Sequence, residues 1–295
     1  MTELGRTSVI LDTDIGDDID DAYALGVCLR HPSIDLRGVA TVWGDTTLRA
    51  AQARYLLALE GRPELPVAAG SRDPLDDQAP LGRNCQAAVV PAHEEERWRA
   101  GRKDGVQMLA ELAAAHPGST LLTIGALTNA ARFYTEFPAE FATLERLVIM
   151  GGHLQSTLDY PEYNLACDPR ATRTILACGK PMLMVGLDVT LQFQMTPEDL
   201  DQLAAAGTPL ATALLAMTHM WQGDAAGPGG PLPTLHDPLA ALAMVEPEVL
   251  RTVPRCLHGD RYGNLTPGPE TPNVDFAVEV DVRRAMSRVL ELVAG

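Results

Sequence analysis

Short apolar runs alternate along the chain with stretches whose apolar residues recur at three- and four-residue spacing. The first run, Ser8–Asp14, ends in acids and predicts a buried strand, and Ile19–Arg30 has the spacing of a helix. The same signals predict further strands at Ile34–Val42, Val67–Ala69, Thr120–Ile124, Arg146–Met150, Met182–Val189, Val249–Leu257 and Val274–Val280, and further helices at Thr46–Leu59, Lys103–His116, Leu127–Phe137, Pro169–Cys178, Pro197–Ala206, Leu210–Gln222, Asp237–Val245 and Val282–Val293.

Alternation of strands and helices predicts the α/β class. Strands that are separated by single helices are parallel and are joined by right-handed crossovers, which place helices on both faces of the sheet. No linker and no internal repeat divides the sequence. We therefore expect residues 1–295 to form a single domain with a mainly parallel central sheet. In such sheets ligands bind beyond the carboxyl ends of the strands, so the functional site is expected there.

Two segments lack any periodicity. Ser71–Arg102 and Gly223–Pro233 are rich in Gly, Pro and polar residues. The first is long for a structureless connection in a compact domain, and loops of that length are usually functional. We expect both segments to lie over the site and to determine its specificity.

Charge narrows the possible partners. Asp and Glu number 39 against 23 Lys and Arg, which gives a formal net charge of −16. A field of this sign repels nucleic acids and anionic membranes but suits a metal cation or a neutral small molecule. No apolar run approaches the roughly 18 residues that a membrane-spanning helix needs.

Cysteine usage and the N-terminus predict a cytoplasmic protein. The first residues do not resemble a signal peptide, because the apolar run that follows them is too short and has no cleavage site. The five cysteines are odd in number and widely spaced, which predicts free thiols in a reducing compartment. They are Cys28, Cys85, Cys167, Cys178 and Cys256.

The segment Asp12–Asp21 contains six carboxylates within ten residues, between the first strand and the first helix. A helix dipole favours nearby acids by about 0.3–1 kcal/mol each, which explains one or two of them. Packed like charges otherwise need a cation, and clustered hard oxygen ligands favour Ca²⁺ or Mg²⁺. The alternative is a solvated acidic helix cap.

Three known motifs fit this chain poorly. An EF-hand loop that began at Asp12 would need Gly at its sixth position and Glu at its twelfth, where this chain has Asp17 and Tyr23. A haloacid-dehalogenase-type phosphatase would have Thr or Val at Gly16. A Mg²⁺-dependent phosphohydrolase would also need a phosphate cradle, and the sequence has neither G-x-x-x-x-G-K-[ST] nor a basic cluster near the acids.

The acidic segment resembles the N-terminal signature D-x-D-x-G-x-D-D-A of the inosine–uridine-preferring nucleoside hydrolases. Here the sequence is D-T-D-I-G-D-D-I-D-D-A, which has two more residues after Gly16. Both Asp17-Asp18 and Asp20-Asp21 therefore compete for the position of the paired acids. Asp20-Asp21 is preferred, because an apolar helix start follows it as in the family.

Further matches to the family follow in the same order along the chain. Each motif alone also reads as an ordinary cap or turn, but the ordered series together with the acidic segment is specific. The matches are Thr41–Asp45, where the family often has Asn at the last position, Ile124–Asn129 for G-x-L-T-N, Met150–Gly152 for M-G-G, Glu162–Asn164 followed by Asp168-Pro169 for E-F-N and D-P, and His236–Pro238 for H-D-P.

The resemblance implies hydrolysis of the N-glycosidic bond of ribonucleosides to ribose and free base, as in purine and pyrimidine salvage. It implies a Ca²⁺ site formed by Asp14, Asp21, Asp237 and the carbonyl of Ile124, with Asp14 as the base that activates a calcium-bound water. The expected sugar contacts are Asp20 and Asn164 with the 2′- and 3′-hydroxyls, Asp45 near this diol, Glu162 with the 5′-hydroxyl and Met150 against the ribose.

Protonation of the leaving base is assigned by the same resemblance to His236. His93, Trp98, His219 and Trp221 lie in or beside the two long loops and are candidates for contact with the base. Family members are commonly homodimers or homotetramers, and the same is expected here. Two alternatives stay open: a hydrolase of a modified ribosyl compound, or a non-catalytic protein that binds calcium and ribose.

Overall fold

The apolar runs form the strands of one central sheet. The structure is a computed structural model that describes residues 5–76, 84–92, 101, 104–226 and 230–295. In these residues the strands are β1 (Thr7–Thr13), β2 (Ile34–Thr41), β3 (Val67–Ala69), β4 (Thr120–Thr123), β5 (Arg146–Met150), β6 (Met182–Val185), β7 (Leu250–Gly259), β8 (Leu265–Gly268) and β9 (Val274–Val280).

Helices connect most of these strands. In the described residues they are α1 (Asp20–Arg30), α2 (Thr46–Leu59), α3 (Gly105–Ala115), α4 (Thr128–Glu136), α5 (Pro138–Ala142), α6 (Tyr163–Cys167), α7 (Pro169–Leu176), α8 (Leu187–Thr190), α9 (Pro197–Ala206), α10 (Pro209–Ala226), α11 (His236–Ala243) and α12 (Val282–Ala294). Two short 3₁₀ helices lie at Ala87–Val89 and Pro247–Val249. None of these helices is long and apolar enough to cross a bilayer.

The strand order places a topological switch point beside β1. The order is β3-β2-β1-β4-β5-β6-β9-β7-β8, so the chain first adds strands on one side of β1 and then, from β4, on the other. The neighbouring strands from β3 to β9 in this order are all parallel to one another. At the other edge, β7 pairs antiparallel with both β9 and β8. The predicted mainly parallel sheet is confirmed. A crevice opens beyond the carboxyl ends of the strands at such a switch point.

Alternate side chains of β1 enter two different apolar cores. Val9 and Leu11 belong to a core that includes residues of α1, α11 and α12, whereas Ile10 packs with residues of α3 and α4 on the opposite face. All three strand residues are fully buried. The apolar run Ser8–Asp14 is therefore buried on both faces, which is typical of a central parallel strand and confirms helices on both sides.

Some predicted boundaries were wrong. The strand predicted at Met182–Val189 ends at Val185, because Gly186 starts a turn into α8. A Cβ at Gly186 would lie 2.5 Å from the carbonyl oxygen of Gly152, so this close approach of two chain segments needs glycine. Helix α10 also continues to Ala226, into the segment Gly223–Pro233 that was predicted to be a loop. Helices α5, α6 and α8 and strand β8 were not predicted.

The predicted loop Ser71–Arg102 lies partly outside the described residues. Its described part contains the short 3₁₀ helix Ala87–Val89. All five cysteines of the chain lie in described residues, and each is a free thiol, as predicted.

A buried amide joins the strand ends that surround the crevice. Asn129, the second residue of α4, is fully buried. Its Nδ2 donates to Oδ1 of Asp12 at 2.7 Å and to the carbonyl of Thr41 at 3.0 Å, and its Oδ1 accepts from the N–H of Ser71 at 2.8 Å. One side chain therefore holds the ends of β1 and β2 and the residues that follow β3 in a fixed arrangement.

We predict that Asn129→Ala lowers the free energy of unfolding by about 3 kcal/mol, because it leaves several buried polar partners unsatisfied. Chemical denaturation of both proteins measures this difference. Gln107→Ala is the control: Gln107 is exposed on α3 and donates a hydrogen bond across one helical turn to Glu111, so its removal should cost less than about 0.5 kcal/mol. Equal stabilities of the two variants would contradict the role assigned to Asn129.

Candidate active site

A cavity of about 390 Å³ opens at the carboxyl ends of β1, β4 and β5. This is the size of a pocket for a small organic molecule. It is lined by Asp14, Asp17, Asp18, Asp20, Asp21, Ile124, Met150, Tyr160, Glu162, Tyr163, Asn164, Leu187, Leu191, His236 and Asp237. The residues expected to bind the metal, bind the sugar or perform the chemistry are all in this set except Asp45.

Three carboxylates converge on the cavity from two helices. Asp20 and Asp21 begin α1, and Asp237 lies in the first turn of α11. One oxygen of each lies within 4.8 Å of the others, and each residue is only 3% exposed. The structure thus brings Asp20-Asp21, the preferred pair, to Asp237.

Hydrogen bonds fix two of these carboxylates. The backbone N–H of Asp237 donates to Oδ2 of Asp20 at 3.1 Å, which ties the start of α11 to the start of α1. The hydroxyl of Thr13, the last residue of β1, donates to Oδ1 of Asp21. Each carboxylate keeps free oxygen lone pairs, so the cluster is rigid without being saturated.

The cluster is electrostatically unfavourable by itself. Burial first, and then the neighbouring carboxylates, raise the pKa values of Asp20, Asp21 and Asp237 well above the ordinary value. Asp14 lies on the same wall; burial raises its pKa to about 7, although Arg49 opposes the shift. Buried, rigid, oxygen-only ligands that repel one another fit a hard divalent cation, which would relieve the repulsion.

Arg49 stabilises the turn that carries Asp14. This arginine of α2 is only 1% exposed, and its guanidinium donates to the carbonyl of Asp14 and, at 3.0 Å, to the carbonyl of Ile15. Its Nη2 also forms an ion pair with Oδ2 of Asp17 at 2.8 Å.

Asp17 and Asp18, the alternative pair of acids in the N-terminal signature, make contacts that differ from those of Asp20 and Asp21. Asp17 neutralises a buried cation, whereas Asp18 is exposed and accepts a hydrogen bond from the N–H of Ile19 at 2.7 Å. Both residues line the cavity but lie outside the three-carboxylate group.

Glu162 and Asn164 line the cavity from the start of α6. Glu162 caps this helix by accepting from the N–H groups of Asn164 at 2.8 Å and Leu165 at 3.1 Å, and it also accepts from Gly152 at 3.0 Å. Nδ2 of Asn164 donates to the carbonyls of Ile124 at 3.0 Å and Met150 at 3.3 Å. These contacts assemble the ends of β4 and β5 and the start of α6 into one wall.

His236 occupies the cavity side of the first turn of α11. Its Nδ1 lies 2.7 Å from Oγ1 of Thr190, the last residue of α8. Burial lowers the pKa of His236 to about 4, so the imidazole is neutral near pH 7. A neutral ring that is oriented at Nδ1 presents Nε2 to its surroundings.

Several predicted residues lie elsewhere. Asp45 is not in the cavity wall; its carboxylate caps α2 by accepting from the N–H of Leu48 at 3.0 Å. His219 is exposed on α10, and Trp221 packs partly buried against the core, so neither lines the cavity. His93 and Trp98 lie outside the described residues.

Sequence reasoning missed part of the cavity rim. Tyr160 and Tyr163 line the cavity and are about half exposed, and Leu187 and Leu191 line it as well. The signal that could have found the tyrosines is local, because they lie two residues before and one residue after the predicted Glu162. The leucines carry no such signal, because Leu187 falls in the predicted strand Met182–Val189 and Leu191 lies just after it.

The fold and the cavity together define an α/β protein whose buried acids can bind a metal ion beside a small-molecule pocket. A family model described as inosine-uridine preferring nucleoside hydrolase matches residues 9–287. The chain belongs to this nucleoside hydrolase family and is therefore an enzyme. The resemblance found in its motifs is confirmed.

Individual relatives agree with this assignment. The chain is 30% identical over 298 residues to the pyrimidine-specific ribonucleoside hydrolase RihA of Enterobacter sp. (strain 638), with 92% of this chain and 93% of the relative covered. Among solved structures, a plant nucleoside hydrolase superposes with a TM-score of 0.84 at 25% identity, covering 98% of this chain and 99% of that one. A purine-preferring ribonucleoside hydrolase from Gardnerella vaginalis has the same fold, with a TM-score of 0.83 at 23% identity and 98% of both chains covered.

The carboxylate cluster generates a prediction for stability. Because the pKa values of Asp14, Asp20, Asp21 and Asp237 are raised on folding, the folded chain holds more protons than the unfolded chain above about pH 4. In chelator the free energy of unfolding should therefore fall as the pH rises from 5 through about 7. Calcium should remove most of this fall. Thermal unfolding at several pH values, with chelator and with calcium, measures both effects.

A matched pair of variants separates the cluster from general charge effects. Asp237→Asn removes one of the repelling charges, so in chelator at pH 8 it should melt at a higher temperature than the wild type and should lose most of the gain from calcium. Asp201→Asn changes an exposed acid of α9 and should alter neither quantity. Identical melting of the wild type and Asp237→Asn in chelator would show that the cluster is not under repulsion.

Proposed function

We propose that this enzyme hydrolyses the N-glycosidic bond of ribonucleosides, with a calcium ion at the acidic cluster and Asp14 as general base. The observation that carries the proposal is the convergence of the residues expected to bind the metal, bind the sugar or perform the chemistry: all of them except Asp45 line the same cavity. These residues come from segments far apart in the sequence, so their meeting is not a consequence of local sequence alone.

Asp14, Asp21, Asp237 and the carbonyl of Ile124 would hold the cation. The carboxylates of Asp20, Asp21 and Asp237 approach one another closely, and the pKa values of these three acids and of Asp14 are all raised. Both observations support a divalent ion at this wall. An all-oxygen ligand set favours calcium over softer metals. When bound, the ion would orient the sugar hydroxyls and lower the pKa of a water.

Asp14 would remove a proton from the attacking water. The water oxygen bonds to C1′ of the ribose as the bond from C1′ to the base nitrogen breaks, and the electron pair of that bond leaves with the base. Positive charge develops on the sugar in the transition state. Arg49 holds the backbone of Asp14 and Ile15, so the carboxylate is supported from behind the cavity wall.

The remaining wall residues divide into a sugar side and a base side. Asp20 and Asn164 would bind the 2′- and 3′-hydroxyls, Glu162 the 5′-hydroxyl, and Met150 would pack against the ribose. The tyrosines and leucines of the rim offer flat and apolar surface, which suits a heterocyclic base. The rim residues are Tyr160, Tyr163, Leu187 and Leu191.

His236 would assist departure of the base. The ring is neutral near pH 7, and its Nδ1 lies within hydrogen-bond distance of the Thr190 hydroxyl. In the tautomer in which this hydroxyl donates a hydrogen bond to Nδ1, the ring carries its proton on Nε2 and can donate from there. His236 would thus stabilise the negative charge of the leaving base by a hydrogen bond, and the base takes its proton in turn from this site or from water.

The first test measures ribose release from inosine, adenosine, guanosine, uridine and cytidine by the wild type and Asp14→Asn, with calcium and with chelator. We expect wild-type turnover that requires calcium, and a loss of kcat of more than about 10³-fold in Asp14→Asn, since a general base contributes about 10²–10⁴-fold. Uridine and cytidine should be the best substrates, because the relative that is 30% identical is named pyrimidine-specific.

Asp201→Asn is the control variant and should keep wild-type turnover. A folded, calcium-stabilised wild type that releases ribose from none of the five nucleosides would refute ribonucleoside hydrolysis. That outcome would favour a modified ribosyl substrate or a non-catalytic calcium and ribose binder.

A second test isolates the role of His236. His236→Ala should lower kcat on uridine or inosine by about 100-fold or more, but it should change turnover of a nitrophenyl riboside little, because that leaving group needs no stabilising proton. Thr190→Val should show the same pattern with a smaller loss. Equal losses on both kinds of substrate would assign His236 to sugar or metal positioning instead.

A homodimeric or homotetrameric assembly stays a prediction from the family resemblance. Analytical ultracentrifugation of the calcium-loaded enzyme measures it directly.

A further inference from the structure

A second group of metal-ligating side chains lies on the antiparallel edge of the sheet, outside the cavity. Cys256 and His258 are two residues apart on β7, so their side chains lie on the same face of the strand. Glu270 follows β8, the strand that pairs with β7. The hairpin brings the three side chains together, and none of them lines the active-site cavity.

The donor atoms are spaced as the ligands of one tetrahedral ion. Sγ of Cys256 lies 3.6 Å from Nε2 of His258 and 3.4 Å from Oε2 of Glu270, and the last two atoms are 3.1 Å apart. Bond lengths of about 2.3 Å for zinc to sulfur and about 2.0–2.2 Å to nitrogen and oxygen place tetrahedral ligands about 3.3–3.6 Å apart. The three distances are within about 0.3 Å of these values.

The backbone leaves room for such an ion. Gly268 of β8 is the residue paired with Cys256. A Cβ at this position would lie 2.2 Å from Oε2 of Glu270 and 2.6 Å from Nε2 of His258. Any side chain at residue 268 would therefore occupy the space where the ligand atoms meet.

Asn273 holds the backbone of β7 in place at the residue between Cys256 and His258. The amide of Asn273 accepts from the N–H of Leu257 at 2.9 Å and donates to the carbonyl of the same residue at 3.0 Å. Leu257 lies between Cys256 and His258 and is itself fully buried. Two of the three ligands thus project from a held backbone, which reduces the ordering needed to bind an ion.

We propose that Cys256, His258 and Glu270 form a binding site for a zinc ion, with solvent at the fourth position. A sulfur, nitrogen and oxygen donor set selects zinc over calcium, which prefers oxygen ligands alone. The site is separate from the acidic cluster and from the calcium ion proposed there.

An ion pair between His258 and Glu270 explains less of the arrangement. Both side chains are more than half exposed, and exposed pairs of this kind contribute about 0–1 kcal/mol. An ion pair also leaves the position of the Cys256 sulfur unexplained. This Sγ lies 3.4 Å from Oε2 of Glu270 and 3.6 Å from Nε2 of His258, and its side chain is buried, so a soft donor adjoins both partners of the pair.

The test is zinc binding to the full-length, calcium-saturated protein, measured by competition with a chromophoric chelator, and cobalt absorption spectroscopy on the same samples. We expect one zinc per chain and, with cobalt, a thiolate-to-metal charge-transfer band. Cys256→Ser should weaken zinc binding by more than about 100-fold and abolish the band, since even groups that only orient a metal ligand contribute about 10- to 100-fold. His258→Gln and Glu270→Gln should weaken zinc binding at least about 10-fold.

Cys178→Ser is the matched control, because it removes another free thiol and should change neither zinc affinity nor the cobalt band. Glu270 is exposed, so Glu270→Gln should keep the wild-type melting temperature. Weaker zinc binding by a variant that melts like the wild type cannot be caused by misfolding. Unchanged zinc affinity in Cys256→Ser and His258→Gln would overturn the proposal. The proposal would also be overturned if Asp237→Asn abolished zinc binding while Cys256→Ser, His258→Gln and Glu270→Gln all retained it.

Discussion

Burial of several like charges at one end of β1 is the constraint on which the rest of this structure depends. Asp14, Asp20, Asp21 and Asp237 are nearly inaccessible to solvent, and burial and mutual repulsion raise their pKa values. Such an arrangement costs folding free energy unless a cation neutralises it. The fold must therefore supply enough rigidity elsewhere to hold the acids together, and this rigidity is what positions them for chemistry.

The surrounding contacts provide that rigidity at the switch point of the sheet. Asn129 joins the ends of β1 and β2, Arg49 holds the turn that follows β1, and Glu162 organises the wall at the start of α6. Each of these polar side chains bonds mainly to backbone groups, which are fixed by the sheet and helices. The acidic segment is two residues longer than the family signature, and one of its extra acids contributes to this rigidity. Asp17 forms an ion pair with the buried Arg49 instead of joining the carboxylate cluster.

The two proposed metal sites show how one scaffold separates ions by ligand chemistry. The cavity presents oxygen atoms from helix starts at the parallel part of the sheet, whereas the hairpin presents sulfur, nitrogen and oxygen at its antiparallel edge. Hard and borderline ions prefer these sets respectively. The first site lines a pocket of the size of a small substrate, so the proposed chemistry of the nucleoside hydrolase belongs there.

Much of this could be predicted from the sequence, because the periodicity of apolar residues determines strands and helices locally, and short motifs mark the strand ends where ligands bind. The parallel sheet was predicted from this periodicity, and the resemblance of the motifs to the nucleoside hydrolases implied the residues of the cavity wall. Of the residues so implied or proposed, Asp45, His219 and Trp221 lie outside that wall. Only the tertiary structure decided that Asp20 and Asp21, rather than Asp17 and Asp18, meet Asp237, since that depends on how α1 packs beside α11. The positions of the rim tyrosines and of the hairpin cluster also depend on the tertiary structure. Packing and strand register bring together side chains that are far apart in the sequence, and a local sequence pattern does not contain this information.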